Sequence, residues 1–505
     1  MTSKSYITLG LAGLLVFVIV GSLQRSPGYM DAEYYLLTGQ QLAAGRGFTE
    51  PVLWNYLDAP SGLPHPSHAY WMPLPSLLAA LGTALFGVSF SAGRVLFLIV
   101  AALVPPLTAK LCMQLTGRRG SARLAGFLAV LPGFYLPFIT TTDSFAICML
   151  LGGVFFLLIS REEKPAWWAL ALGGVAGLLH LARAEGPLWL LLALYASWRT
   201  AGARGATQAG VGYLVVMLAW FVRNWLAFGS LLAPGAGSSL WLTEYDELFS
   251  FPASQLSMQA WAASGLGAIV AARVSALGQN LASAVVVSGL VALAPLVVWG
   301  AWRLRTQPAV RVGSAAWLAL LLVFSFVFPF SGARGGFFHA AAVVQPLVWA
   351  LAAAGLHAAL EWGSAVRGWQ VTRAGHVFSI GILVLALGLS AYAVQQRVLA
   401  GGWDASAAHY TALHQRLQAL GVGDGEIVMV NNPPGFSLAG GGRPAIVIPH
   451  GGPQAGMQAA RQYGARILLL GEDQPGWSDI YEAGPLLSSL QYLDEVDGTR
   501  IFRLP

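Results

Sequence analysis

The chain of 505 residues is 56% hydrophobic and only 10% charged, with a formal net charge of +6 and two cysteines. Soluble domains carry about a quarter charged residues, so ordinary globular packing is excluded as an account of most of the chain. No Lys/Arg-rich run interleaved with aromatics occurs, which argues against nucleic acid as a partner; Cys112 and Cys148 lie inside apolar runs and suggest neither a disulfide framework nor a zinc site.

Apolar runs able to cross a hydrocarbon core about 30 Å thick recur from Tyr6 to Val394. Lys4 places the N-terminus in the cytoplasm. Tyr6 to Ser22 predicts a retained first helix rather than a signal peptide, because Gly21-Ser22-Leu23 is a poor cleavage site. A long external loop follows, from Leu23 to about Met72. Pro73 to Phe86 is apolar but too short for a span, and is expected to lie in the interface. Ser89 to Leu115 then crosses inward, Leu124 to Phe138 outward, and Asp143 to Ile159 inward after a very short turn, Ile139 to Thr142. Ala166 to Ala182 goes out, Pro187 to Trp198 in, and Gly210 to Phe228 out to a second long external segment, Gly229 to about Asn280. Ala282 to Trp302 returns, Ser314 to Phe330 goes out, His339 to Leu360 comes in, and Val377 to Val394 makes the last outward crossing.

This threading gives about eleven crossings. Each inward loop carries Lys or Arg, as the positive-inside rule requires, and counting Pro73 to Phe86 as a span would put Arg118 and Arg119 on the wrong side. The expected architecture is a polytopic α-helical membrane protein, residues 1–400, followed by an extracytoplasmic α/β domain, residues 401–505. The acidic residues Asp424, Glu426, Glu472 and Asp473 mark the change of character after Gly401. In the tail, periodicity predicts a helix over Ala407 to Leu420, strands over Glu426 to Val430 and Ala445 to Ile448, and a helix over Gln454 to Tyr463. A strand over Arg466 to Leu470 and a terminal hairpin, Tyr492 to Val496 with Arg500 to Leu504, complete it.

Ionisable side chains at membrane depth are expensive, so their positions inform. Asp31, Glu33, His65, His68, Asp143, Arg183, Glu185, Arg223, Arg334 and His339 all thread to the outer surface. Each alone also has a structural reading. Asp31 could be a solvated loop residue, Asp143 a helix cap, and Arg183 with Glu185 a structural pair; Arg223 could snorkel to the headgroups. His65 and His68 have a spacing that is weak evidence for a metal. In the tail, Asn431 to Gly435 and Pro449 to Gly452 follow strands, where they fit either ligand loops or plain turn chemistry.

Several local sequences resemble the GT-C superfamily of membrane glycosyltransferases, in its protein O-mannosyltransferase and aminoarabinose-transferase branch. They are Pro27 to Tyr35 with Gly45-Arg46-Gly47-Phe48, His68 to Leu74, Leu181 to Gly186, and Val222-Arg223-Asn224-Trp225 with Phe228-Gly229-Ser230. The resemblance covers roughly Ser5 to Gly355, and departs where Ala32 separates Asp31 from Glu33. It implies inverting transfer of a sugar from a polyprenyl-phosphate donor to a glycan, lipid or protein acceptor on the extracytoplasmic face of a plasma (inner), prokaryotic membrane. Asp31 would then be the base, and Asp143 would orient the acceptor or, with Asp31, hold a divalent cation such as Mg or Mn. Glu33, His65, His68, Glu185 and His339 would line the substrate, and Arg183, Arg223 and Arg334 would meet the phosphate. The alternative is a transporter or flippase of a lipid-linked or polar solute, which should show repeat symmetry and polar groups near the midplane; the sequence shows neither.

Overall fold

A computed structural model describes residues 1–483 and 490–505. The chain is a bundle of apolar helices with a small mixed sheet at one end. Helix α1 spans Ser3–Ser22. In the following loop, α2 spans Met30–Ala43 and is followed by the short strands β1 (Thr49–Glu50), β2 (Val52–Leu53) and β3 (His65–Pro66). Helix α3, Leu74–Phe86, starts with proline in its first turn, where the missing N–H has no helical partner to lose. Helix α4, Phe90–Thr116, is capped by the Ser89 side chain and ends on left-handed Gly117; α5 spans Arg119–Val130.

Among the described residues, seven helices are long and apolar enough to cross a membrane, or eight if the bent pair Pro329–Ala341 and Gln345–Arg367 is one span. The expectation of about eleven crossings differs for identifiable reasons. Phe145–Ile159 and Trp168–Ala182 have 15 residues each, about 22 Å of rise, and fall short of a 30 Å core. Gly186–Phe228 counts once, yet it breaks at Ala201 and Gly202. Gly205 packs on the Ser197 carbonyl and Gly210 faces Leu194, so its two arms run antiparallel.

A clear correction concerns residues 229–302. The segment expected to be an external loop as far as Asn280 contains the helix Leu266–Ser283, which runs on through a π turn to Ser288. The span expected over Ala282 to Trp302 is not one helix. It breaks at 289–293, where Leu290 and Val291 adopt positive φ, and resumes as Ala294–Arg303. Arg273 interrupts the hydrophobic run of the first helix, which hid it in the sequence.

With little hydrophobic drive between helices in lipid, close backbone approach supplies packing. Gly173 lies on the Ala209 carbonyl while Gly212 lies on that of Leu170; Gly300 and Gly355 pair in the same reciprocal way through Leu351 and Leu296. A Cβ at any of these positions would overlap backbone.

The tail follows its expected order. A helix spans Ala405–Ala419, β4 Ile427–Val430, β5 Ala445–Val447, and a second helix Gly452–Tyr463. Then come β6, Ala465–Gly471, and the hairpin β7, Gln491–Val496, with β8, Thr499–Arg503. The sheet order is β2-β5-β4-β6-β8-β7, parallel from β2 to β6 and antiparallel beyond. Three features were not expected, one of them a short helix, Ser478–Ala483, between β6 and β7. Strand β2 comes from the first loop and closes one edge of the tail's sheet. Pro433–Ala439 is a helix, its prolines sitting in the first turn and Asn432 capping it through the Gly435 N–H.

Candidate active site

The turn before Asp143 is short because it is bonded, residue by residue, to the first loop. Thr140 Oγ1 donates to Gln24 Oε1 (2.9 Å), Thr141 Oγ1 to the Pro27 carbonyl (3.0 Å), and Thr142 Oγ1 to the Ala32 carbonyl (2.8 Å). Gln24 in turn donates to the Pro137 carbonyl at 2.8 Å. These bonds place Asp143 beside Asp31, which sits in the first turn of α2, where a carboxylate suits the helix dipole.

Asp31, Asp143 and His339 converge, each offering a ligand atom within 4.8 Å of the others. Asp143 is 1% exposed, and its Oδ2 accepts from the Tyr29 hydroxyl at 2.6 Å. His339 Nε2 lies 3.1 Å from Asp143 Oδ2 and 3.8 Å from Asp31 Oδ2. Its Nδ1 is 2.9 Å from the Gly335 carbonyl, which can only accept, so Nδ1 carries a proton. A carboxylate cannot donate to Nε2 either, so that contact calls for a second proton or for a cation. Two carboxylate oxygens and an imidazole nitrogen are a suitable donor set for a divalent ion.

The two carboxyls differ in surroundings. Burial raises Asp31 to about 6 against the opposing pull of His339, with the Asp143 charge raising it further. Burial pushes Asp143 up as well, but the charge and hydrogen bond of His339 and the Tyr29 hydrogen bond outweigh it and hold the group at about 2.

Asp31 and His339 line a cavity of about 910 Å³, and Asp143 is buried against them. One part of the wall is made of amphipathic rings from the first loop and the segment after Phe228: Tyr35, Trp54, Tyr70, Trp71 and Tyr245. Another part, from the bundle, is purely apolar and includes Phe134, Phe138, Val287, Leu320, Phe324 and Phe338. Arg183 reaches the cavity already paired with Glu185, Nη2 to Oε1 at 2.7 Å; burial works against its charge, but Glu185 raises its pKa above the ordinary arginine range. Arg334 lies 4.6 Å over the Tyr245 ring. Four π turns border the cavity, contributing Val287, Val323, Arg334 and Arg397. Such turns are enriched at functional sites.

Sequence reasoning did not single out Arg397 or Tyr29. Arg397 stands just past the last apolar run, where a basic residue is unremarkable. Tyr29 lay inside the first-loop motif, and its bond to a residue 114 positions away left no local trace.

The remaining expected residues stand elsewhere. Glu33 turns away from the cavity and accepts from Asn432 Nδ2 at 2.8 Å; burial raises it to about 7. His65 lies 3.0 Å from Asp58 and 3.5 Å from Glu50; these contacts overcome burial and raise it to about 9. His68 bonds Ser67 and Ser76, and burial lowers it well below its usual value, so the two histidines do not share a ligand. Arg223 donates to the carbonyls of Ser67 (2.6 Å) and Phe48 (3.2 Å) and packs on the Trp220 and Phe228 rings, which braces the first loop.

A family model described as Dolichyl-phosphate-mannose-protein mannosyltransferase matches residues 65–226. None of the curated proteins matches the chain in sequence. Among solved structures it is similar to apo ArnT from Cupriavidus metallidurans, with TM-score 0.62 and 13% identity over 100% of this chain and 98% of that one. The same ArnT bound to undecaprenyl phosphate gives TM-score 0.58 and 14% identity over 99% and 98%. The oligosaccharyltransferase AglB from Archaeoglobus fulgidus, in complex with an inhibitory peptide and a dolichol-phosphate, gives TM-score 0.54 and 14% identity over 92% and 69%. The chain has the GT-C fold over its whole length, and the family match within it supports its place in the GT-C superfamily of membrane glycosyltransferases.

Proposed function

We propose that this protein transfers a sugar from a polyprenyl-phosphate donor to an acceptor hydroxyl, with inversion, at a site opening on the extracytoplasmic side of the membrane. The observation that carries the reading is the divided cavity with Asp31 and His339 on its wall and Asp143 buried against them. Purely apolar rings suit an isoprenoid chain. Tyrosine and tryptophan faces suit sugar rings, which present C–H groups to the aromatic face and hydroxyls to its polar edge. That ArnT and AglB each hold a polyprenyl phosphate supports the donor class.

Asp31 acts as the base. A carboxyl raised to about 6 is ionised near neutral pH yet basic enough to take a proton from an attacking hydroxyl. Asp143 stays ionised and fixes Tyr29 and His339. Attack from the side opposite the phosphate passes through an oxocarbenium-like transition state and inverts the anomeric carbon. The departing phosphate gains negative charge, which Arg334 meets; Arg183, neutralised by Glu185, positions without adding net charge. If a divalent cation binds, Asp31, Asp143 and His339 hold it, and it supplies electrophilic stabilisation to oxygen.

Asp31→Asn in membranes given a labelled polyprenyl-phosphate sugar should lose about two to four orders of magnitude in transfer, the worth of a positioned base. Near-wild-type turnover would remove Asp31 from this role. Chelation separates the two states of His339. Where a metal occupies the cluster, EDTA abolishes transfer and Mn or Mg restores it; where the second proton is there, EDTA leaves the rate unchanged.

A further inference from the structure

The first residues of the tail grip the loop that carries Asp31. Asp404 stands at the start of the helix Ala405–Ala419, yet its side chain makes no cap there. Its carboxylate instead accepts from the Arg25 N–H (3.0 Å), the Ser26 N–H (2.8 Å) and the Ser26 hydroxyl (2.7 Å). Trp403 Nε1 donates to the Ser26 carbonyl at 2.9 Å, so backbone donor and acceptor of one residue are both taken by the tail. Arg94 of α4 donates to the carbonyls of Gly21 (2.6 Å) and Gln24 (3.1 Å) in the same stretch. Anion meets N–H groups and cation meets carbonyls, which fixes residues 21–26 in one register.

The grip reaches the reacting cluster in two further contacts. The Trp403 ring lies directly on Gly28, which has φ +91, and only a glycine leaves room for it there. The same ring meets Tyr29 edge to face with centroids 5.8 Å apart, and Tyr29 donates to Asp143. Two residues beyond Tyr29 is Asp31. On the far side of the first turn of α2, Glu33 takes its bond from Asn432 of the tail. Neither Trp403 nor Asp404 lines the cavity, so neither touches substrate.

We infer that Asp404 and Trp403 are positioning residues for sugar transfer, and that the tail serves to hold Tyr29 and Asp31 against Asp143. Charge-assisted bonds from one carboxylate to three donors are directional and strong; all three reach Oδ1 and the Arg25 N–H also reaches Oδ2 at 3.2 Å, so an asparagine at 404 removes the charge and sets its amide against the Arg25 N–H. The loss lets the 25–31 segment shift, and a displacement of about 1 Å at a reacting group can cost on the order of a hundredfold in rate.

The test uses the full-length protein in detergent or nanodiscs, with Asp404→Asn and the milder Trp403→Phe, which keeps the ring and loses the Nε1 bond. Amide hydrogen exchange should speed up in residues 25–29 in both variants, with the thermal unfolding midpoint little changed. Turnover should fall about tenfold or more while the donor KM stays within about threefold, the signature of lost alignment rather than lost binding. Adding Tyr29→Phe to Asp404→Asn should cost less than the two single effects multiplied, because both loosen the same segment. Unchanged protection of residues 25–29 in both variants overturns the inference, as does lost protection with full turnover, or effects that multiply with Tyr29→Phe. The kinetic arm alone rests on the transfer reading: a wild-type protein that moves no sugar yet shows the exchange difference refutes that reading and supports the grip.

Discussion

Asp31 and Asp143 carry the same carboxyl group within one cluster, but their partners push them in opposite directions. Asp143 takes a hydrogen bond from Tyr29, lies 3.1 Å from His339 Nε2, and remains a fixed anion. Asp31 has the more distant contact with His339, faces the cavity, and is raised by burial to about 6. Divergent environments of this kind separate a working base from a spectator charge. A base must be unprotonated to act, so kcat/KM should climb as pH rises through about 6 and level off above it. Asp31→Glu should keep a low-pH limb with reduced turnover. A flat profile from pH 5 to 8 would deny Asp31 the role. At this scale the sequence was informative about which residues approach one end of the bundle, since charges near a membrane are placed at a cost. It was silent on partners. Nothing local in the Arg223 segment distinguishes a phosphate ligand from a guanidinium spent on two backbone carbonyls, and Glu33 is two residues from Asp31 yet faces the tail.

Among the elements, the helices Trp168–Ala182 and Gly186–Phe228 show how glycine sets helix spacing. Gly173 and Gly212 each lie against the other helix's backbone, so side chains there cannot be accommodated by rotamer changes. Gly212→Val should therefore destabilise by about 1–3 kcal/mol or more, the usual range for overpacking. Thermal unfolding of the purified variant in detergent measures it, with Gly174→Ala as a control, since its nearest neighbour lies at 3.8 Å. Equal midpoints for Gly212→Val and wild type would contradict the close approach. Tail elements were legible to within a few residues because soluble strands and helices alternate polar and apolar positions. Inside the bundle that contrast vanishes. The helix from Leu266 carries Arg273 and exposes Leu266, Val270 and Val274, so its polarity resembles an external segment although its length does not. The 68° bend before Gln345 was equally hidden, because a bent and a straight apolar run have the same composition.

At the scale of the molecule, the first loop joins bundle and tail. It gives β2 to the tail's sheet, Glu33 to Asn432, and Arg25 with Ser26 to Asp404, and it also gives Tyr29 and Asp31 to the cavity. A boundary near residue 401 describes composition, while the contacts cross it repeatedly. Contacts spanning nearly 400 positions leave no periodic signal, which is why the tail's part in the site could not be read from its own residues. The resemblance through short ordered motifs pointed to the fold; the cavity adds a chemical division between purely apolar and amphipathic walls. The account stands or falls on transfer with inversion. Purified protein in liposomes, given a polyprenyl-phosphate sugar labelled at its anomeric carbon, should yield a product of inverted anomeric configuration by NMR, and Asp31→Asn should yield almost none. Retained configuration, or full product from Asp31→Asn, would contradict it.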